Sequence, residues 1–126
     1  MMKTKDRLED VFKSEESFGG CNLNDKNCLI ESLINRVPIK DILAYRNLLI
    51  DDNFKSIMED ADLAKCVEDF FKYDLNVAET SRKSYLHRNT LLYRLDKIEH
   101  LTGLNLRCFD DAVTFRILMI IYNLTN

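Results

Sequence analysis

The side chains best suited to recognise a ligand lie in the run LHRNTLLYRL, residues 86–95. The Arg88 guanidinium can donate two hydrogen bonds to O6 and N7 of guanine, and the Asn89 amide can bond the N7 and N6 edge of adenine. His87, Arg88 and Thr90 crowd the first turn of a predicted helix. Free backbone N–H groups and the helix dipole favour a phosphate at such a turn. This combination is suited to binding nucleic acid.

Helical spacing separates the same run into two faces. At about 100° per residue, apolar side chains recur on one face and polar side chains on the opposite face. The apolar set is Leu91, Leu95 and Ile98, and the polar set is Asn89, Tyr93 and Lys97. The first face can pack into a core while the second remains available to a ligand. We therefore predict a recognition helix over about residues 88–100.

The preceding segment predicts the element that positions this helix. Asn76 followed by Glu79 has the spacing of a capped helix start, and that helix can run only to about Tyr85. A short helix, a tight turn and a longer helix with basic and amide side chains at its start follow the order of a helix-turn-helix. Residues 80–98 hold five basic side chains and one acidic side chain, a local charge of about +4.

The total charge points away from nucleic acid, but its distribution does not. The formal net charge is −3 over 126 residues, yet residues 61–126 hold nine basic and nine acidic side chains. The acidic excess therefore lies in residues 1–60. Because phosphate neutralisation supplies most non-specific affinity for DNA, a single module with so few cations should bind weakly. This favours a homodimer as the form that binds double-stranded DNA.

Composition argues against several other classes of protein. The chain is 46% hydrophobic and 31% charged, which is typical of soluble globular proteins. No apolar run approaches the roughly 20 residues of a membrane helix, and the N-terminus lacks the apolar region of a signal peptide. We expect a cytoplasmic protein with no membrane partner. The four cysteines form no C-x-x-C pair, so we expect core or idle thiols, no metal and no cofactor.

No constellation of residues predicts an enzyme. The sequence has no nucleophile and base pattern and no H-E-x-x-H string, and Gly19-Gly20 stands alone without a phosphate-binding loop. Adjacent acids such as Glu15-Glu16 and Asp51-Asp52 splay apart on a helix, where they serve better as solvated or capping groups. We therefore predict a protein without catalytic activity.

The rest of the sequence is patterned as helices, which predicts an all-α fold. Gly103 and the pair Asp110-Asp111 predict a stop after the recognition helix and a cap for a last helix. Apolar spacing predicts the earlier helices around residues 8–12, 28–37, 39–50, 54–58 and 63–71. We divide the chain into a helical N-terminal region, residues 1–60, for dimerisation or regulation, and a C-terminal helix-turn-helix domain of about four helices, residues 61–126.

The last predicted helix is apolar around most of its circumference, from Ala112 to Leu124. A helix that is apolar on all sides must be covered on all sides. The cover is either a second copy of the chain or the N-terminal helices of the same chain. The sequence does not choose between them.

Several of these strings together resemble a known family. NVAET at 76–80, HRNTL at 87–91, YRL at 93–95 and LTGL at 101–104 closely resemble the C-terminal helix-turn-helix domain of PucR/CdaR-type bacterial transcription regulators. The resemblance covers residues 63–124. Residues 87–91 also resemble the N-R-G-T-L string of the factor for inversion stimulation. In that relative, dimers place two recognition helices in successive major grooves, and the resemblance implies the same arrangement here.

Three residues depart from the family pattern. Ser81 stands where alanine is common, and Ser84 stands where a buried leucine is usual, so we expect looser packing of the short helix. Leu92 occupies a site that is often basic in the family, which removes one possible phosphate contact.

These observations predict a sequence-specific DNA-binding transcription regulator with its recognition helix in the major groove. Base contacts are expected from His87, Arg88 and Asn89. DNA backbone contacts are expected from Arg82, Lys83, Thr90, Tyr93, Arg94 and Lys97. Structural alternatives remain open, because Arg88 could pair with Glu79 and Arg94 could form a salt bridge on the packed side. The alternative for the whole chain is a helical dimerisation or adaptor protein whose helix-turn-helix surface binds another protein. The sequence does not identify an effector.

Overall fold

The computed structural model describes residues 26–126, which form seven helices and no strand. The helices are α1 (Lys26–Asn35), α2 (Ile39–Leu49), α3 (Asp52–Glu59), α4 (Ala61–Lys72), α5 (Val77–Lys83), α6 (Arg88–Thr102) and α7 (Phe109–Thr125). The predicted all-α fold class is confirmed. The helix predicted around residues 8–12 lies outside the described residues. Within the described part, no helix has the length and apolar character needed to cross a membrane.

The described residues divide into two compact units, with the boundary after Ile42. The described part of the first unit consists of α1 and the beginning of α2. The second unit contains the rest of α2 and all of α3 to α7. Within it, α3 packs against α4 and α6, so packing groups α3 with the helices that follow it. The functional division after residue 60 stays a prediction.

Two aspartates cap the first turns of α3 and α4. Asp51 caps α3 by accepting a hydrogen bond from the backbone N–H of Phe54 at 2.9 Å. Asp60 ends α3 and also caps α4, where its Oδ1 accepts from the N–H groups of Asp62 at 3.0 Å and Leu63 at 3.2 Å. These bonds satisfy backbone donors that a helix start leaves free. Asp60 is therefore the single residue between α3 and α4, and it ends the first helix and caps the second.

Aromatic packing attaches α7 to α3 and α4. The ring of Phe115 lies 5.0 Å from that of Phe54 and 6.4 Å from that of Phe71, measured between centroids. Tyr122 meets Phe54 edge-on at 6.1 Å. Phe54 and Phe115 are buried. The N-terminal helix α3 therefore covers part of α7, while Phe109, Val113, Ile117 and Leu124 are exposed. Cover by a second copy of the chain stays a prediction.

The start of α7 corrects one prediction. Its N-cap residue is Cys108, which makes no side-chain capping bond, while Asp110 and Asp111 lie inside the first turn. Asp111 Oδ2 instead accepts a hydrogen bond from the N–H of Asn105 at 3.0 Å. The pair still places negative charge at the positive end of the helix dipole. Asp111 in addition ties the helix to the segment that precedes it.

The buried face of α5 contains a hydroxyl whose removal should stabilise the domain. Thr80 is buried, and its Oγ1 has no hydrogen-bond partner in the described part of the chain. We expect Thr80→Val to raise the free energy of unfolding by about 1 kcal/mol, because valine has the same shape and removes an unsatisfied polar group. Urea denaturation measures the change.

Thr114→Val is the control, because Thr114 Oγ1 donates to the Asp110 carbonyl at 2.9 Å and is exposed. That substitution should give no gain. Destabilisation by Thr80→Val would show that its hydroxyl is satisfied in solution.

Candidate nucleic-acid interface

The first helix of the candidate interface, α5, begins at the cap predicted from the sequence. Asn76 Oδ1 accepts a hydrogen bond from the backbone N–H of Glu79 at 2.9 Å. The helix spans Val77–Lys83, and Thr80 turns its side chain into the core. The predicted capping role of Asn76 is confirmed. The helix is short, so its orientation depends on its neighbours.

The turn between α5 and α6 has the hydrogen bonds of a Schellman motif. The N–H of Leu86 donates to the Ser81 carbonyl at 3.0 Å, and the N–H of Tyr85 donates to the Arg82 carbonyl at 3.4 Å. The Ser81 hydroxyl also donates to the Leu86 carbonyl. Tyr85 occupies the left-handed position of the motif, with φ of +55°. Glycine is the residue that usually fills this position.

Ser84 links this turn to α4. Its hydroxyl donates to Asp69 Oδ2 at 3.0 Å, and the same carboxylate oxygen lies 3.3 Å from Lys65 Nζ. The sequence predicted that a serine here, in place of a buried leucine, would loosen the packing. In the structure, the hydrogen bond from Ser84 to Asp69 attaches the turn to α4 where a leucine would have packed. The Asp69 side chain is mostly buried, so this hydrogen bond is shielded from water.

The recognition helix α6 begins and ends where the sequence predicts. His87 is the N-cap residue, and its Nδ1 accepts a hydrogen bond from the Asn89 N–H at 3.1 Å. At the other end, Gly103 adopts φ of +76° and donates its N–H to the Glu99 carbonyl at 2.7 Å. The apolar face is buried through Leu91, Leu95 and Ile98. The opposite face exposes Asn89, Tyr93 and Lys97. The two predicted faces are confirmed.

The three predicted base-contacting residues lie together at the exposed start of α6. His87, Arg88 and Asn89 are all exposed. Glu79 forms its ion pair with Lys83, at 3.0 Å, so the pairing considered for Arg88 is not formed. Within residues 29–126, the Arg88 guanidinium has no ion-pair or hydrogen-bond partner. Its donors are therefore available to a ligand.

The predicted DNA backbone contacts divide into two groups. Lys83 is held by Glu79 and also lies 5.2 Å from the centroid of the Tyr73 ring. Arg94 is only 23% exposed and approaches Asp62 of α4 at 4.0 Å, as the structural alternative predicted. Thr90 is half-buried, and the remaining members of the set are exposed: Arg82, Tyr93 and Lys97. The DNA-contacting roles of both groups stay predictions.

The most exposed aromatic side chain near this surface is not among the site residues predicted from the sequence. Tyr85, in the turn itself, is 96% exposed. Helical periodicity carries no information about a turn residue, and the left-handed backbone of Tyr85 is unusual for a residue with a side chain of this size. Glu99 is a second exposed acid on α6, beside the Asp96 that the local charge already includes.

The thiols of the second unit offer no reactive group near this surface. Burial raises the pKa of the Cys66 thiol to about 11, and the charge of Asp69 adds to the rise while that of Arg94 opposes it. This thiol is therefore protonated at neutral pH and behaves as a small apolar side chain. Cys108 is exposed and unpaired by any disulfide. The described residues contain no group of three or more His, Cys, Asp or Glu side chains arranged to hold a metal ion.

Comparison with known families agrees with this geometry. Residues 63–121 match the family described as the PucR C-terminal helix-turn-helix domain. This segment is a PucR-type helix-turn-helix domain. The match covers α4 to α7 almost completely, so the PucR-type domain includes the aromatic packing of α7 as well as the helix-turn-helix. The family consists of a helix-turn-helix domain found in regulators, and it is not a family of enzymes.

Curated relatives share the domain but are much longer. The chain is 28% identical over 88 residues to the "Purine catabolism regulatory protein" of Bacillus subtilis (strain 168), which covers 70% of this chain and 16% of that protein. It is 41% identical over 51 residues to the "Carbohydrate diacid regulator" of Escherichia coli (strain K12), which covers 40% of this chain and 13% of that protein. It is 37% identical over 51 residues to a "Leucine-rich protein" of Streptococcus dysgalactiae subsp. equisimilis, which covers 40% of this chain and 18% of that protein. The chain thus spans less than a fifth of these relatives. No solved structure matches it.

The Ser84 attachment can be tested by a double-mutant cycle. We expect Ser84→Ala and Asp69→Ala to destabilise the domain non-additively, with a coupling of about 1 kcal/mol, because each removes the same charge-assisted hydrogen bond. Urea denaturation of the four proteins gives the coupling.

A second cycle, Asp69→Ala with Ser56→Ala, is the control. Ser56 Oγ donates to the Asn53 carbonyl at 2.7 Å and shares no partner with Asp69. Its effects should add. Additivity in the first cycle as well would remove Ser84 from the description of how the turn is held.

Proposed function

We propose that this protein is a sequence-specific DNA-binding transcription regulator that inserts α6 into the major groove and acts as a homodimer. The observation that carries the proposal is the exposed start of α6, where Arg88 and Asn89 present unpaired donors and acceptors. A helix held from behind by a buried apolar face can enter a groove about 12 Å wide without unfolding.

The proposed roles follow from the chemistry and exposure of each residue. Arg88 reads guanine through its guanidinium, Asn89 reads adenine through its amide, and His87 adds a contact at the helix start. Arg82, Lys97 and the Tyr93 hydroxyl contact the DNA backbone and set the register of the protein on the duplex. Lys83 contributes a phosphate contact when it exchanges Glu79 for DNA. Thr90 and Arg94 are less exposed and contribute less.

The relatives support regulation as the biological role. Two of them carry names that describe regulators, one of purine catabolism and one of carbohydrate diacids. Because this chain spans less than a fifth of each, the proposal covers regulation and not the pathways that these names describe. The proposal includes a bacterial cytoplasmic location, where the DNA target lies, and a function without catalysis or a cofactor.

The homodimer is supported by charge and by exposed apolar surface. The helix-turn-helix has few cations, and two copies would double the number of phosphate contacts. Apolar side chains at the end of α2 also lack cover: Leu48 is 81% exposed and Leu49 is 54% exposed. Covering such residues is favourable in proportion to the apolar area removed from water. We place the end of α2 in the proposed dimer interface.

The division between base and backbone contacts is tested by two substitutions. We expect Arg88→Ala to weaken binding to a selected duplex by about 1–3 kcal/mol and to relax base preference, because it removes a bidentate contact to guanine. We expect Arg82→Ala to weaken selected and random duplexes alike and to lower the salt dependence by about one ion for each bound copy. Fluorescence anisotropy, on duplexes selected from a random pool, measures both.

Thermal unfolding of each variant controls for loss of fold. Equal losses by both variants on selected and random DNA would contradict the assigned roles. Absence of binding by the wild-type protein at low salt and micromolar concentration would overturn the DNA-binding function. It would favour the helical adaptor that uses the same surface to bind a protein.

The proposed dimer interface is tested at the end of α2. We expect Leu48→Lys to shift the protein from dimer to monomer in analytical ultracentrifugation, because a lysine charge at the centre of an apolar contact must be desolvated. Asn47→Lys adds the same charge at an exposed neighbouring position and should leave the dimer intact. A wild-type protein that sediments as a monomer would contradict the homodimer, and a dimer insensitive to Leu48→Lys would place its interface elsewhere.

A further inference from the structure

Tyr85 has an unfavourable backbone conformation for its residue type. It lies at the left-handed position of the turn between α5 and α6, with φ of +55°. A side chain in this conformation brings Cβ close to the following carbonyl oxygen, at a cost that glycine does not have. The Schellman hydrogen bonds hold the position, since the N–H groups of Tyr85 and Leu86 donate to the Arg82 and Ser81 carbonyls. Glycine at residue 85 would therefore make the same turn with less strain.

The tyrosine side chain gains nothing from the fold that offsets this cost. It is 96% exposed, so almost none of its ring is removed from water. Within residues 29–126 it makes no hydrogen bond and no ring contact, in contrast to Tyr73, whose ring lies near the ammonium groups of Lys72 and Lys83. A large exposed aromatic residue at a strained position has no role in stability that the structure supports.

Basic residues on both sides of Tyr85 indicate a role in binding a ligand. Arg82 and Lys83 precede it by three and two residues, and His87 and Arg88 follow it by two and three. The side chains of Arg82, His87 and Arg88 are exposed. Tyr85 thus stands between the exposed cations of α5 and the exposed start of α6. A phenol can donate a hydrogen bond to a phosphate oxygen while its ring covers the adjacent sugar.

We propose that Tyr85 is an additional DNA backbone contact, whose hydroxyl donates a hydrogen bond to a phosphate of the duplex that α6 enters. The inference rests on the proposed DNA-binding function and adds to it a neutral contact in the turn. Because the phenol carries no charge, it releases no counterion when it binds. Its loss should therefore weaken binding equally at all salt concentrations, which distinguishes it from the loss of a lysine or arginine.

The test compares the affinity of Tyr85→Phe and Tyr85→Gly with that of the wild-type protein. We expect both to raise Kd by roughly fivefold to tenfold on a pool of random-sequence duplexes, which is about the net value of one ordinary hydrogen bond. The slope of log Kd against log salt should equal that of the wild type. Arg82→Ala, measured beside them, should lower the slope. Thr114→Val, which removes an exposed hydroxyl from α7, is the control and should bind as the wild type does.

Stability separates this role from a structural one. We expect Tyr85→Gly to unfold at a urea concentration equal to or above the wild-type midpoint, because it relieves the left-handed strain, and Tyr85→Phe to unfold at the wild-type midpoint. Loss of affinity together with a lowered midpoint in both variants would assign Tyr85 to the fold and overturn the inference.

Wild-type affinity in both tyrosine variants would also overturn it while leaving the proposed function in place, provided that Arg88→Ala still loses selected-site binding. If the wild-type protein binds no duplex, the proposed function fails first and the Tyr85 contact fails with it.

Discussion

The commitment of one face of α6 to the core is the constraint on which the whole candidate interface depends. Leu91, Leu95 and Ile98 are buried, and the helix packs against α3, α4 and α5. Since successive residues of an α-helix are rotated by about 100°, burying this face determines which side chains point away from it. Asn89 and Tyr93 are exposed for that reason alone. The chemistry of the outer face can change without loss of the fold as long as the inner face is kept.

The angle between α5 and α6 has a separate origin in the turn that joins them. That turn contains no glycine, and its geometry is held by backbone hydrogen bonds at Tyr85 and Leu86 and by the attachment of Ser84 to Asp69. The end of α4 is closed in the same way, with Asp74 and Leu75 both at positive φ and the Leu75 N–H donating to the Phe70 carbonyl. Hydrogen bonds therefore define both connections, the one between α4 and α5 and the one between α5 and α6. Each connection contains at least one residue in a strained, left-handed backbone conformation.

Most of the helices could be predicted from the sequence, because apolar spacing and capping residues are local signals. The buried face of α6 and the cap at Asn76 are examples. The hydrogen bond from Ser84 to Asp69 could not, since it joins a turn residue to a side chain of α4 that is 15 positions away. The cover of α7 could not either, because a helix that is apolar all round gives no direction to its packing. The cap at Cys108 was missed because two nearby aspartates carried a stronger local signal. The roles of Arg88 and its neighbours in DNA binding stay predictions, since they depend on a partner.

The packing of α7 has a consequence for how the chain reaches its native topology. The contacts of α5 with α4 and with α6 close short loops, whereas α6 also packs against α3 across a longer stretch of chain. The last helix instead meets α3 through Phe115 and Phe54, and Arg46 donates a hydrogen bond to Asn126, 80 positions away. Loop closure becomes more costly in entropy as the loop lengthens, and long-range contacts slow folding. The helix-turn-helix thus forms partly from local contacts and partly from the packing of α6 against α3, and the docking of α7 closes longer loops still.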